Sequence, residues 1–374
     1  MINSIINLIA LSLFILYAFQ VIKFYIGLNR LAPGLNNHCY SVSIIVPARN
    51  ESTNISRCLD SLIQQNYPAE KMEIIVVNDR SDDNTELVVE QYCSKHPFIK
   101  LLNIEKDQIS SAPKKFAIEK GIESSIHEII ITTDADSMAS QNWVNAIISH
   151  FQHNVGVVAG PVMFHKNDET NFYSRIQSLE FLSLIIAGMG SIGMNEPIIA
   201  NGANLAYRKT VFNQVDGFSG IDDLKTGDDD LFIQKVNEST SHKIVYATTS
   251  DSVIYTKPAR SCYEFIKQRT RWASKGSRYE SNSLKLYLIA VYFLYLYMLL
   301  VIPFILLGLI KATFPLIIFF MKLILDAILM KKGLNLLNRS DLLKYIFPTE
   351  LFQLIYVVLV GFLGFFDLYQ WKGN

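Results

Sequence analysis

Residues 128–137 read Glu-Ile-Ile-Ile-Thr-Thr-Asp-Ala-Asp-Ser, a β-branched run that stops at two carboxylates one residue apart. An unbroken apolar run of this kind is the pattern of a strand buried on both faces, hence of a parallel sheet covered by helices. In open α/β sheets, ligands bind beyond the carboxyl ends of the strands. Asp134 and Asp136 are therefore expected at the mouth of a site, acceptor-only and near enough to share one divalent cation with phosphate oxygens. Alone the triplet is weak, because ordinary aspartate usage yields one Asp-x-Asp by chance in roughly every few hundred residues. Its weight comes from its neighbours.

On both sides the chain alternates strand-like and helix-like stretches. Residues 42–46, 73–77, 100–104, 128–133 and 155–159 are short strand-like runs, and 53–65, 85–96, 114–124 and 141–151 between them carry apolar side chains at helical spacing. The alternation predicts βαβ units and a mainly parallel sheet. The first strand runs into Pro47-Ala48-Arg49-Asn50-Glu51 and the second into Asn78-Asp79-Arg80-Ser81-Asp82-Asp83, so both polar clusters open on the same edge as Asp134 and Asp136. Farther on, Asn201-Gly202-Ala203-Asn204 reads as a turn. Thr226-Gly227-Asp228-Asp229-Asp230-Leu231 sets three acids at the start of a helix, where the helix dipole favours negative charge. Capping accounts for one or two of them, not three.

The ends of the chain have a different character. Of 374 residues half are hydrophobic, mean hydropathy is positive, and 34 basic residues balance 34 acidic ones. No global field and no basic run favours nucleic acid, so membrane and small molecule are the expected partners. Cys39, Cys58, Cys93 and Cys262 have neither metal spacing nor the pattern of a disulfide framework, which fits reduced thiols in a cytosolic domain. Residues 2–22 are apolar and long enough to cross a bilayer, with Lys23 and Arg30 after them. This predicts a retained anchor over 1–23, a linker over 24–40 and a cytosolic domain from residue 41.

The domain is expected to reach residue 283. Three more apolar stretches, 284–310, 314–330 and 345–366, make 284–374 a membrane region of about three helices. If the basic joint 331–344 is cytosolic, the four-span count agrees with the positive-inside bias and puts the chain end outside. Within the second of these stretches, Lys322 and Asp326 stand at i and i+4 and are expected to neutralise one another on a face turned toward protein. Residues 172–192, too polar early and too glycine-rich late for a span, are read as an interfacial helix lying on the membrane, with an ordinary core helix as the alternative.

Set side by side, these clusters resemble the family 2 glycosyltransferases. The nearest branch is the membrane-bound one with a Gln-x-x-Arg-Trp motif, similar to ceramide glucosyltransferase-like and cellulose or hyaluronan synthase-like enzymes. The resemblance runs in order through residues 46–51, through 77–79 with Asp83, and through Lys114 before Ala117-Ile118 and Gly121. It continues with Asp134-Ala135-Asp136, Gly202-Ala203-Asn204 with Arg208, residues 228–231 and Gln268 to Trp272. It implies a GT-A (Rossmann-like) domain with flanking transmembrane helices, and inverting transfer of a sugar from a UDP-sugar to a membrane-associated acceptor, a lipid before a glycan. A processive polysaccharide synthase is the alternative, and an inactive nucleotide-sugar-binding assembly subunit a more distant one. The implied setting is glycolipid or cell-envelope synthesis by a multi-pass protein of the cell (inner) membrane, its catalytic domain facing the cytosol.

The resemblance also implies roles. Asp79 would contact uracil with Pro47, Arg49 and Glu51 alongside; its alternative is a simple Asx-turn. Asp136, with Asp134, would hold Mn²⁺ or Mg²⁺ against the diphosphate. Lys114 and Asn204 join the substrate-binding residues, with Lys115 able to replace Lys114. Gln268, Arg271 and Trp272 would offer donors to the diphosphate and a flat apolar face to a sugar or acceptor. The base falls at Asp228 by the family pattern, but Gly227 stands where Glu is common, so Asp229 competes. Crowding three carboxylates is expected to raise the proton affinity of at least one, which suits a base. Asn78 and Arg80 depart from the common Asp-Asp-Gly-Ser pattern and leave nucleotide preference open.

Overall fold

The structure is a computed structural model that describes residues 2–105, 107–108, 110–224, 226–279 and 281–366. Its strands are β1 (Val42–Ala48), β2 (Met72–Asn78), β3 (Ile99–Asn103), β4 (Ile129–Thr132), β5 (Met138–Ala139), β6 (Val155–Ala159), β7 (Val162–Phe164), β8 (Leu205–Arg208), β9 (Lys243–Tyr246) and β10 (Ile254–Thr256). Its α-helices are α1 (Ile2–Leu28), α2 (Ile55–Ile63), α3 (Thr85–Cys93), α4 (Pro113–Ser124), α5 (Trp143–Ile148), α6 (Phe172–Gly193), α7 (Lys209–Gln214), α8 (Asp230–Ser239), α9 (Cys262–Ala273), α10 (Asn282–Leu306), α11 (Thr313–Leu336) and α12 (Ile346–Phe365). The chain forms two units, one of Asn29–Glu169 with Ser191–Lys257, the other of Met1–Leu28, Thr170–Gly190 and Pro258–Asn374.

The first unit holds a seven-stranded sheet in the order β3-β2-β1-β4-β8-β6-β9. The pairs β1–β2, β1–β4, β2–β3 and β6–β9 are parallel, as the alternating pattern predicts. Only β8 runs against both its neighbours, β4 and β6. That reversal matters for the site. Thr132 at the end of β4 pairs with Leu205 at the start of β8, so the turn that leads into β8 sits at the carboxyl edge, beside the residues that follow β4. The central strands are sealed: Ile44, Ile45, Ile74, Ile75, Val76, Ile129, Ile130 and Ile131 have no exposed surface. At roughly 25 cal/mol per Å² of apolar area, such burial is the main force holding the sheet together.

The second unit is helical. Among the described residues five helices are long and apolar enough to cross a membrane, by length and composition: α1, α6, α10, α11 and the stretch ending in α12. Four of them are largely uncovered, with 22–28% of their most apolar stretch buried, whereas α6 has 78% buried. Of the two expectations for 172–192, this coverage favours the core helix. An interfacial helix keeps one broad face for lipid, and α6 instead packs around its circumference. Ile176, Leu179, Leu182, Ile186 and Met189 are buried, and so are the polar Gln177, Ser178 and Glu180.

The expected anchor and linker shift at their border, because α1 continues to Leu28. The polar segment after it is pinned, with Asn36 donating its backbone N–H to the Ser149 carbonyl at 2.8 Å. The end of the predicted C-terminal region, 367–374, lies outside the described residues. Lys322 and Asp326 pair at 2.6 Å as expected. The pair is part of a larger cluster that sequence spacing could not reveal. Glu350 of α12 also bonds Lys322, and the Tyr17 hydroxyl of α1 donates to Asp326 Oδ1 at 2.5 Å. The Tyr295 ring of α10 lies 4.7 Å from the ammonium.

Candidate active site

The site is built around Lys114, the second residue of α4. Its ammonium stands 2.8 Å from Asp134 Oδ1 and 3.0 Å from Asp228 Oδ2, and so bridges the end of β4 to the loop before α8. Burial works against the charge of Lys114, but Asp134, Asp228 and, farther off, Asp229 outweigh it and raise its pKa above the usual lysine value. Asp134 is 37% exposed while Asp228 is 8% exposed, so one carboxylate faces outward and the other lines the floor. Asp228 Oδ2 faces the ammonium and accepts no aligned hydrogen bond among the described residues.

Gly202 forms a wall of this site. A Cβ on it would lie 2.5 Å from Asp228 Oδ2 and 3.4 Å from Lys114 Nζ, so no side chain fits there. The Gly202 carbonyl is held by the Thr132 hydroxyl at 2.7 Å. Gly227 has φ +87°, a left-handed conformation, and a Cβ on it would strike Leu231. The departure from Glu at this position has a backbone cause: the loop that delivers Asp228 turns through a conformation that glycine alone takes without strain. The next residue, Asp229, is the N-cap of α8. Its carboxylate accepts from the N–H of Asp230 at 2.8 Å and of Gly202 at 3.3 Å.

The two preceding strand ends form the neighbouring wall. Asp79 is buried, and its Oδ1 is 2.7 Å from the Arg80 guanidinium while Oδ2 is 3.9 Å from that of Arg49. Arg80 has φ +53°, the left-handed region, which explains why glycine is common at this place in the family pattern. Here an arginine bears that strain and folds back on the carboxylate. The loop at Pro47–Glu51 is stitched to the next one: Ser81 Oγ accepts from Asn50 N at 3.0 Å, and Thr85 Oγ1 accepts from Glu51 N at 2.8 Å. Asp83 closes the seam, accepting from Ser52 N at 3.1 Å and Thr85 N at 2.9 Å. Burial works slightly against its charge, but side-chain bonds from Thr85 and Ser52, with these backbone bonds, outweigh it and bring its pKa down to about 2.

Two expectations are corrected by burial. Asn204 has no exposed surface, and its amide is fully used: Nδ2 donates to the carbonyls of Pro161 and Ser252 at 2.8 Å, and Oδ1 accepts from Trp143 Nε1 at 2.9 Å. It ties the turn to the core and cannot reach a substrate. Lys115 cannot stand in for Lys114. It is 1% exposed and donates to the carbonyls of Ile221, Leu224 and Thr226, fastening the loop that leads to Asp228. Two adjacent lysines at the start of a helix point in different directions, which the sequence could not resolve.

Gln268, Arg271 and Trp272 lie on α9, in the helical unit. Trp272 packs on Phe181 with ring centroids 5.8 Å apart. The residue between them, Arg269, was not singled out by the motif, and it is the buried one, paired with Glu180 of α6.

A parallel-rich α/β sheet whose carboxyl edge gathers aspartates around a lysine defines an α/β domain with a charged site at its strand ends. Residues 43–216 match the family described as Glycosyl transferase family 2. Over that stretch the chain is similar to a family 2 glycosyltransferase domain. Among curated proteins, the probable glycosyltransferase YdaM of Bacillus subtilis (strain 168) is 26% identical over 241 residues, 64% of this chain and 55% of that one. Poly-β-1,6-N-acetyl-D-glucosamine synthase of Staphylococcus epidermidis is 24% identical over 245 residues, 63% and 54% respectively. The chain thus spans about half the length of these relatives. Among solved structures, the mannosyltransferase PcManGT from Pyrobaculum calidifontis in complex with GDP-Man and Mn²⁺ shares the fold, with a TM-score of 0.58 at 19% identity over 97% of this chain and 99% of that one. The fold is GT-A.

Proposed function

We propose that this protein is a membrane-bound inverting glycosyltransferase that moves a sugar from a UDP-sugar to a lipid acceptor at the membrane face. The observation that carries the reading is the Lys114 bridge, which sets a cation between a strand-end carboxylate and a floor carboxylate. In this reading Asp228 takes the proton of the acceptor hydroxyl as its oxygen bonds to the anomeric carbon. The bond from that carbon to the diphosphate breaks, and nucleoside diphosphate leaves. Asp228 is preferred to Asp229 because the latter's carboxylate already caps α8. Lys114 meets the diphosphate as a point charge, with Gln268 and Arg271 as further donors. Asp79, with Pro47, Arg49 and Glu51, receives the base.

Asp134 and Asp136 fit a divalent ion of the kind named in the solved mannosyltransferase complex. No group of three His, Cys, Asp or Glu side chains capable of holding a metal occurs among the described residues. Two carboxylates that share the ion with substrate phosphates are a donor set that Mg²⁺ or Mn²⁺ accepts. Bound there, the ion stabilises the negative charge of the departing diphosphate. The similarity to a polysaccharide synthase favours a second reading, repeated addition to a growing glycan. Incubating membranes with labelled UDP-sugars and sizing the product separates the two: a single labelled lipid supports the first, and a ladder of long polymer the second.

A further inference from the structure

A buried ion pair lies beneath the Gln-x-x-Arg-Trp motif, and neither the motif nor the family match accounts for it. Glu180 is 1% exposed in the middle of an apolar helix, and Arg269 is 4% exposed. Taking both charges out of water is costly unless geometry compensates. It does here. Arg269 Nε lies 2.9 Å from Glu180 Oε1 and 3.0 Å from Oε2, its NH2 also bonds Oε2, and the Tyr356 hydroxyl of α12 donates to Oε1 at 2.8 Å. The clamped guanidinium then touches both ends of the motif. Its NH1 donates to Gln268 Oε1 at 2.7 Å, and its central carbon lies over the Trp272 ring, 4.2 Å from the centroid. The rings of Phe265 at 4.7 Å and Phe181 at 5.7 Å enclose it further.

We infer that Glu180 is a positioning residue that, through Arg269, fixes the side chains of Gln268 and Trp272 in the orientation that meets substrate. The inference rests on the reading in which those two residues bind substrate. A guanidinium held bidentately on one side has its plane determined, so the amide bonded to it and the indole stacked on it are oriented too. Lysine at 269 keeps the charge and loses both the fork and the stacking plane. A purely structural ion pair needs neither.

The test compares the full chain in membranes with Arg269→Lys, Tyr356→Phe, Trp272→Ala and the double variant Arg269→Lys with Trp272→Ala. Expected is a fall in kcat/KM of about tenfold to a hundredfold in Arg269→Lys at unchanged protein level, as for a misplaced substrate contact. The double variant should be no worse than its worse single member. Losses that multiply, or an Arg269→Lys variant within twofold of the parent, overturn the inference. Should Arg269→Lys fail to accumulate, Tyr356→Phe decides: it keeps the ion pair, and a fall of a few-fold in kcat/KM supports the clamp while none contradicts it. Full activity in Asp228→Asn instead defeats the reading of the site and is measured in the same membranes. In that case the Trp272 contribution to near-ultraviolet circular dichroism, taken as the difference between chains with and without Trp272, still reports positioning. It should change in Arg269→Lys, and an unchanged contribution counts against the clamp.

Discussion

Neighbouring residues of the same type have separate jobs here, and the division is testable. Asp229 caps α8, and asparagine caps a helix about as well as aspartate, so Asp229→Asn should keep transfer within about threefold of the parent in a membrane assay. Asn204 is spent on three buried hydrogen bonds. Asn204→Ala leaves an indole N–H and two carbonyls unpaired and should cost about 2–4 kcal/mol, read as a lowered denaturation midpoint of the full chain in detergent. Chemical type and order were legible in the sequence: Asp79, Lys114, Asp134, Asp136 and Asp228 all come from strand ends or helix starts that the pattern marks. Direction was not. Lys114 and Lys115 are one residue apart, yet one bridges two carboxylates and the other fastens a loop, because the helix turns between them.

At the level of the element, β1, β2 and β4 were readable because β-branched runs have few alternatives in a parallel sheet. β8 was not, since a four-residue strand is too short to carry a period and its direction depends on pairing with β4. The burial of α6 was hard to read for a related reason: its glycines and polar residues argued against a span, and Glu180 is satisfied by Arg269, a partner far away in sequence. The sheet edge carries its own paired charge. Glu73 accepts from Ser43 Oγ at 2.5 Å, Lys100 Nζ at 2.7 Å and Ile126 N at 2.8 Å. Burial works against its ionised form, but those bonds outweigh it and lower its pKa. A carboxylate with a depressed folded pKa stabilises the fold above its unfolded value of about 4.3 and loses that contribution as pH falls through the folded value. Glu73→Gln should therefore be less stable than the parent at pH 7 and lose less on acidification below about pH 4.3, as measured by denaturation across that range.

At the scale of the whole molecule, the sheet unit holds the Asp228 site and the helical unit holds the Gln268–Trp272 motif. Four lightly covered apolar helices meet around Lys322, Asp326, Glu350, Tyr17 and Tyr295. Replacing Lys322 with methionine leaves two buried carboxylates without their cation and should cost about 3–5 kcal/mol, seen as loss of folded protein from the membrane fraction. The central claim concerns the chemistry and has a direct test. Membranes carrying the parent, Asp136→Ala or Asp228→Asn at equal levels are incubated with a panel of labelled UDP-sugars, and the product is identified by mass. The account predicts one labelled glycolipid from the parent and a loss of about a hundredfold or more in both variants. Equal product from Asp228→Asn would contradict it.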